Sequence, residues 1–124
     1  MEMYKLVYCI RKRDDIVADE FYRYWLEEHG PLVRSLAEKI GATKYVQSHT
    51  TLPEVNRTFV ESRGFEEPYD GITEVWFEDF LTTEDSEAAT KILADDENKF
   101  IDPSRSRVFM TEEHLIFDLE HRNQ

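Results

Sequence analysis

The chain has a single cysteine, Cys9, so no internal disulfide can form, and this usage fits a reducing, cytoplasmic setting. Its glycines number only four and stand apart at positions 30, 41, 64 and 71. No phosphate-cradling glycine loop or dinucleotide fingerprint can be assembled from them. No run of 18 apolar residues occurs, which excludes a membrane-spanning helix. Positive charge is scarce: 15 Lys and Arg against 27 Asp and Glu give a net charge of −12. That balance opposes binding to nucleic acid, whose phosphates need basic neutralisation. The N-terminus, Met-Glu-Met-Tyr-Lys-Leu-Val, lacks the basic-then-apolar layout of a secretion signal, so Asn56-Arg-Thr58 reads as an accidental glycosylation sequon.

What remains is a 124-residue chain with 40% apolar residues, the size of one domain spanning 1–124 with a core of its own. Its densest stretch is Phe21-Tyr-Arg-Tyr-Trp-Leu-Glu-Glu-His-Gly-Pro-Leu32. At 100° per residue from Phe21, Leu32 falls near about 20°, Trp25 near about 40°, Leu36 near about 60° and Ile40 near about 100°. His29 falls near about 80°, inside this apolar stripe. A titratable imidazole on a buried face is either a satisfied core histidine or a group facing a pocket.

Around this stretch the pattern predicts strand Tyr4–Ile10 and a helix over about 17–40. Pro31 kinks or restarts that helix after Glu27, and Gly41 stops it. Val17 stands where a Ser or Thr cap is usual. A strand over 43–51 puts Tyr45, Gln47 and His49 on one face, unusually polar for a core, so that face meets either solvent or a ligand. Residues 52–68 read as irregular, with one or two weak helical turns, and suit a lid or binding loop. Tyr69-Asp-Gly71 is a turn. Strand Ile72–Phe77 places Ile72, Glu74 and Trp76 together. Thr82-Thr-Glu-Asp85 starts a second helix ending near Ala94, residues 95–107 are irregular, and the last strand runs over 112–119. The acidic runs at 61–70, 84–87 and 95–97 read as solvated faces or loop ends. The order is β-α-β-β-α-β: an α+β, ferredoxin-like, four-stranded antiparallel sheet with two helices on one face. The other face needs a cover, and a second subunit packed through the sheets is the economical one.

Acid–base work is the chemistry these residue types support. His29 is the first choice of base or acid, with His49 and His114 next and Asp70 or Glu74 able to orient an imidazole. Trp25, Tyr45, Gln47, Tyr69 and Trp76 are candidates to stack on or hydrogen-bond a ligand, though both tryptophans also suit a core. Three histidines could converge on zinc, but no close-spaced ligand pair exists, and the expectation is no metal and no cofactor. Cys9, in a strand, reads as an inert thiol.

Taken in order, Phe21-x3-Trp25-x3-His29-x-Pro31-Leu32, Tyr45-Val-Gln-x-His49, Pro68-Tyr-Asp-Gly71-x2-Glu74-x-Trp76-Phe77, Asp95-x4-Phe100-Ile-Asp102 and Glu113-His114 resemble the EthD-domain proteins of the dimeric α+β barrel superfamily. The resemblance spans about Tyr4 to Leu119 and implies a dimeric barrel. Relatives include cofactor-free quinol monooxygenases, muconolactone isomerase-like proteins and small polyketide cyclases; fungal members act as decarboxylases or dehydratases on aromatic polyketides. The implied function is a small cofactor-independent enzyme. It would use acid–base chemistry on an aromatic or polyketide-like molecule: dehydration, decarboxylation, isomerisation, cyclisation or cofactor-free oxygenation. The alternative is a non-catalytic dimeric protein that binds a hydrophobic ligand.

Overall fold

The computed structural model describes residues 4–78 and 82–120. Strand β1 (Tyr4–Ile10) leads to helix α1 (Ala18–Tyr24), a π-helical turn (Trp25–His29) and helix α2 (Gly30–Ile40). Strand β2 (Ala42–His49), helix α3 (Pro53–Arg63), strand β3 (Gly71–Phe77), helix α4 (Glu84–Glu97), a 3₁₀ turn (Pro103–Arg105) and strand β4 (Arg107–Glu112) follow. The sheet order is β2-β3-β1-β4 and every neighbouring pair is antiparallel. This is the expected ferredoxin-like split unit, with one helix more than predicted.

The first helix does not break at Pro31. A proline cannot donate the bond an α-helix needs there. The chain absorbs the defect by widening to a π turn, in which Gly30 N–H reaches the Trp25 carbonyl. The extra residue shifts the buried stripe. Phe21, Trp25, His29 and Val33 are buried, and Val33 replaces the predicted Leu32. Gly41 ends α2 at φ 76°, in the left-handed region.

Three other expectations are corrected. The segment 52–68 holds three turns of helix, α3, started by Pro53 at its first position, where no backbone donor is needed. Yet α3 buries no residue. Helix α4 starts with the Thr83 hydroxyl accepting from Ser86 N–H at 3.1 Å and runs past Ala94 to Glu97. Strand β4 spans 107–112, not 112–119, and its register runs from Cys9 opposite Arg107 to Tyr4 opposite Glu112. Residues 113–119 form no strand among the described residues.

Helices α1, α2 and α4 cover the face that carries Leu6, Tyr8 and Ile10 of β1 and Thr73, Val75 and Phe77 of β3. Between these layers Ile10, Phe21, Trp25, Phe100 and Ile101 form the core. Gly71 is fixed by Trp25: a Cβ there would lie 2.5 Å from the indole Cη2 and 2.7 Å from the Ser48 carbonyl. Gly71→Ala is therefore expected to cost about 1–3 kcal/mol of stability in urea unfolding. An unchanged unfolding midpoint would contradict this packing.

Candidate active site

The π turn and the last turn of α4 meet at one buried contact. His29 Nδ1 lies 2.7 Å from Asp96 Oδ2, and His29 is 3% exposed. A carboxylate only accepts, so Nδ1 carries the proton and donates. Asp96 also accepts from the Tyr24 hydroxyl at 2.6 Å and pairs with Lys99 at 3.3 Å. The other imidazole nitrogen, Nε2, lies 3.6 Å from Glu97 Oε2. Burial disfavours a charged His29, but Glu97 and Asp96 outweigh it and raise its pKa above the ordinary 6.5. Burial likewise opposes charge on Asp96, and its Tyr24, His29 and Lys99 partners overcome that and hold it below its usual range.

His29 and Glu97 line a cavity of about 290 Å³ between sheet and helices. Tyr8, Trp25, Tyr45 and Thr73 are among its other polar or aromatic walls, and Leu6, Val33, Val75 and Leu93 are among its apolar ones. Burial pushes the Tyr8 phenol up to about 12, with Glu97 adding to the shift. Burial also raises Tyr45, against the donors beside its oxygen. Both phenols are therefore hydrogen-bond donors at neutral pH. Tyr45 is oriented by a relay along β2. His49 Nε2 donates to Gln47 Oε1 at 2.8 Å, and Gln47 Nε2 donates to the Tyr45 oxygen at 2.7 Å and to the Trp25 carbonyl at 2.8 Å. With its oxygen already accepting, the Tyr45 proton is left to donate elsewhere. Gly30 gives Gln47 room, since a Cβ there would come within 3.3 Å of Nε2. His49 stacks on Trp25 at 4.3 Å and packs against Tyr22 at 5.2 Å, and burial lowers its pKa. The buried Trp25 indole N–H has no well-formed hydrogen bond among the described residues.

The structure thus gathers His29, Trp25 and Tyr45 around one cavity, with Gln47 and His49 behind the Tyr45 oxygen and outside the lining. It does not bring the others there. Glu74 and Trp76 lie on the opposite, open face of the sheet, where Glu74 pairs with Lys5 at 2.8 Å and the Trp76 indole donates to Glu113 at 2.7 Å. The period of the strand puts them there, one residue out of phase with Thr73, Val75 and Phe77. Asp70 ties the end of β1 to the turn before β3, its carboxylate accepting from Lys12 N–H at 2.8 Å, and Tyr69 packs under Arg11 at 4.4 Å. His114 is exposed, 3.2 Å from Glu112, because β4 ends before it. Asp96 and Glu97, read from sequence as a solvated run, are the carboxylates of the site. The signal was present: Ser86, Ala89, Leu93 and Asp96 recur at helical spacing and are all buried. Among the described residues no group of three His, Cys, Asp or Glu side chains could hold a metal ion, and no helix is long and apolar enough to cross a membrane.

A sequence model described as the EthD domain matches residues 13–104. Three solved structures share the fold. One is a dimeric protein of unknown function from Bacteroides fragilis, 18% identical, covering 90% of this chain and 96% of its own, with a TM-score of 0.53. Another is an EthD-like protein from Ralstonia eutropha, 12% identical, covering 98% and 99%, at 0.54. The third is SnoaB, a cofactor-independent oxygenase from Streptomyces nogalater, 8% identical, covering 97% and 99%, at 0.52. No curated protein sequence matches the chain.

The pair at the centre of the site makes stability depend on pH. A raised His29 pKa contributes stability that is complete below the unfolded value of 6.5 and is lost as pH rises through the folded one. A lowered Asp96 pKa contributes stability present above 3.8 and lost as pH falls through its folded value. His29→Gln should therefore destabilise most between these values, by about 3–5 kcal/mol. The gap to the unsubstituted protein should narrow above about pH 7, and a constant gap from about pH 5 to about pH 9 in urea titrations would refute it.

Proposed function

The chain belongs to the EthD domain family, and on that footing we propose a small enzyme that moves protons on an aromatic or polyketide-like carbonyl compound without a cofactor. The observation that carries this reading is the His29–Glu97 pair at one wall of an apolar cavity that also holds the Tyr45 phenol. Glu97 is the base and takes a proton from the carbon next to the substrate carbonyl. Taking that proton neutralises Glu97 and puts the charge on the substrate oxygen, and the His29 imidazolium, fixed by Asp96, then gives a proton back to carbon or to a leaving hydroxyl. Tyr45, and the unmatched Trp25 indole N–H, donate to the substrate oxygen as enolate charge develops. The apolar lining excludes water and strengthens each of these interactions. Enolisation of this kind is common to dehydration, decarboxylation, isomerisation and cyclisation. It also produces the electron-rich anion that a cofactor-free oxygenation needs.

The cavity volume suits one or two fused rings. In this reading the open sheet face, with Val7, Ile72, Trp76 and Phe109, is covered by a second copy, as the resemblance implies. The second function reading, a protein that binds such compounds without transforming them, shares the cavity and lacks the proton transfer.

The proton transfer is measurable without knowing the natural substrate. With 2-tetralone in deuterated buffer, followed by proton NMR, the protein is expected to accelerate deuterium exchange next to the carbonyl. His29→Gln and Glu97→Gln should each lower that acceleration by about 10²-fold, within the range of general acid–base catalysis. Tyr45→Phe should lower it by about 10-fold through loss of one donor to the developing enolate. Binding of 2-tetralone with no acceleration, or equal rates in all three variants, would leave the non-catalytic binding reading standing instead.

A further inference from the structure

The cavity holds a second phenol, Tyr8, to which the proton transfer gives no role. Its ring packs against the core of Ile10, Phe21, Trp25, Phe100 and Ile101. Phenol hydroxyls in such places normally find a partner. Two neighbours on the same core do so: Tyr22 donates to the Asp70 carbonyl at 2.8 Å and Tyr24 donates to Asp96 at 2.6 Å. The Tyr8 hydroxyl makes no hydrogen bond among the described residues. Burial, with Glu97 adding to it, keeps the group protonated up to about 12. A neutral donor that the fold does not use therefore lines the same cavity as the base.

Strand register sets this donor relative to Tyr45. Tyr45, Val75 and Leu6 stand opposite one another across β2, β3 and β1, and Gln47, Thr73 and Tyr8 form the next row on the same face. The two phenols are thus rooted on either side of β3, about 10 Å apart across the strands. After burial, Glu97 raises the pKa of both, so each phenol feels the charge of this one carboxylate. The base is addressed by one donor from β1 and by another from β2.

We propose that Tyr8 is a second catalytic donor of this site and takes a second substrate oxygen, so that the compound carries oxygens on both carbons flanking the one that gives up its proton. Glu97 takes that proton, and the electron pair of the broken C–H bond spreads over both oxygens as an enolate. Tyr45 holds one oxygen and Tyr8 the other, and each phenol keeps its own proton. Charge met by a donor at both ends is stabilised more than charge met at one. A compound with a single oxygen uses only half of this arrangement. The chemistry rests on the proton transfer of the proposed function, whereas the second donor is tested by binding alone.

Stable enol analogues provide the test. In 1,3-dihydroxynaphthalene two oxygens flank one carbon, and 2-naphthol has a single oxygen. Titrated calorimetrically into the full chain, the first is expected to bind about 3–10-fold more tightly than the second, the net worth of one neutral hydrogen bond. Tyr8→Phe should abolish that preference, whereas Tyr45→Phe should weaken both compounds and retain it. Tyr8→Phe removes only a hydroxyl that the fold does not bond, so its circular dichroism and urea midpoint should match those of the unsubstituted protein. Equal affinities in the unsubstituted protein, or a preference that survives Tyr8→Phe, would overturn the second donor. Failure of both compounds to bind at millimolar concentration would overturn it too, together with the ligand cavity. Loss of the preference in Tyr8→Phe, in a protein that does not accelerate exchange on 2-tetralone, would uphold the second oxygen and sink the proton transfer alone.

Discussion

The hydrogen bond between a buried imidazole and a buried carboxylate holds this molecule in register. It joins the wide turn of the first helical segment to the end of α4, and both layers of the covered face close around it. Tyr24 reaches the same carboxylate from one turn earlier, so the aspartate is a junction rather than a pair. Phe100, just past α4, packs against His29 and Tyr24 at 5.1 and 5.3 Å. The apolar core is thus assembled around a polar centre. Breaking that centre from either side strands a charge in a poorly solvating medium, which is why its partners are multiple.

Much of the fold was legible because the strong signals are periodic. The runs of β-forming residues in β1 and β3, bounded by turn signals, set the sheet, and the stripe through Phe21, Trp25 and His29 set the first helix. What was missed has physical causes. A wheel drawn at a constant angle cannot foresee a π turn, and so it chose Leu32 over Val33. Asp96 was hidden by chemistry, since acidic residues are normally outside, although its spacing from Ala89 and Leu93 placed it on the buried stripe. The final strand was shifted because Leu115, Ile116 and Phe117 look like a strand sequence, while strands are defined by partners, and the described part of β1 pairs with 107–112. Helix α3 was unreadable for the opposite reason, having no apolar face committed to the core.

The two faces of the sheet divide the labour. The covered face is apolar, and it holds Tyr8, His29 and Tyr45, on each of which burial acts against the charged form. The open face carries a network of long-range charges, with Lys5 between Glu74 and Glu113, and Lys44 over the Trp76 ring at 4.5 Å. Strand period two is what separates these tasks: Thr73 and Glu74 are neighbours in sequence and belong to different environments. Two of the residues first credited with ligand contact, Glu74 and Trp76, stand on the open face instead, by parity alone.

The π turn has a bearing on how such a site arises. It is one residue more than an α-helix needs between Phe21 and Val33. Deleting a single residue from 26 to 28 would restore regular winding and swing every upstream side chain by about 100° relative to those downstream. Trp25 would leave Gly71, and the imidazole would leave its aspartate, with no amino acid at the site replaced. Substitution can only adjust this centre; gain or loss of one codon can make or abolish it. Lineages that differ by one residue in this turn should differ in whether the cavity has a histidine facing it at all.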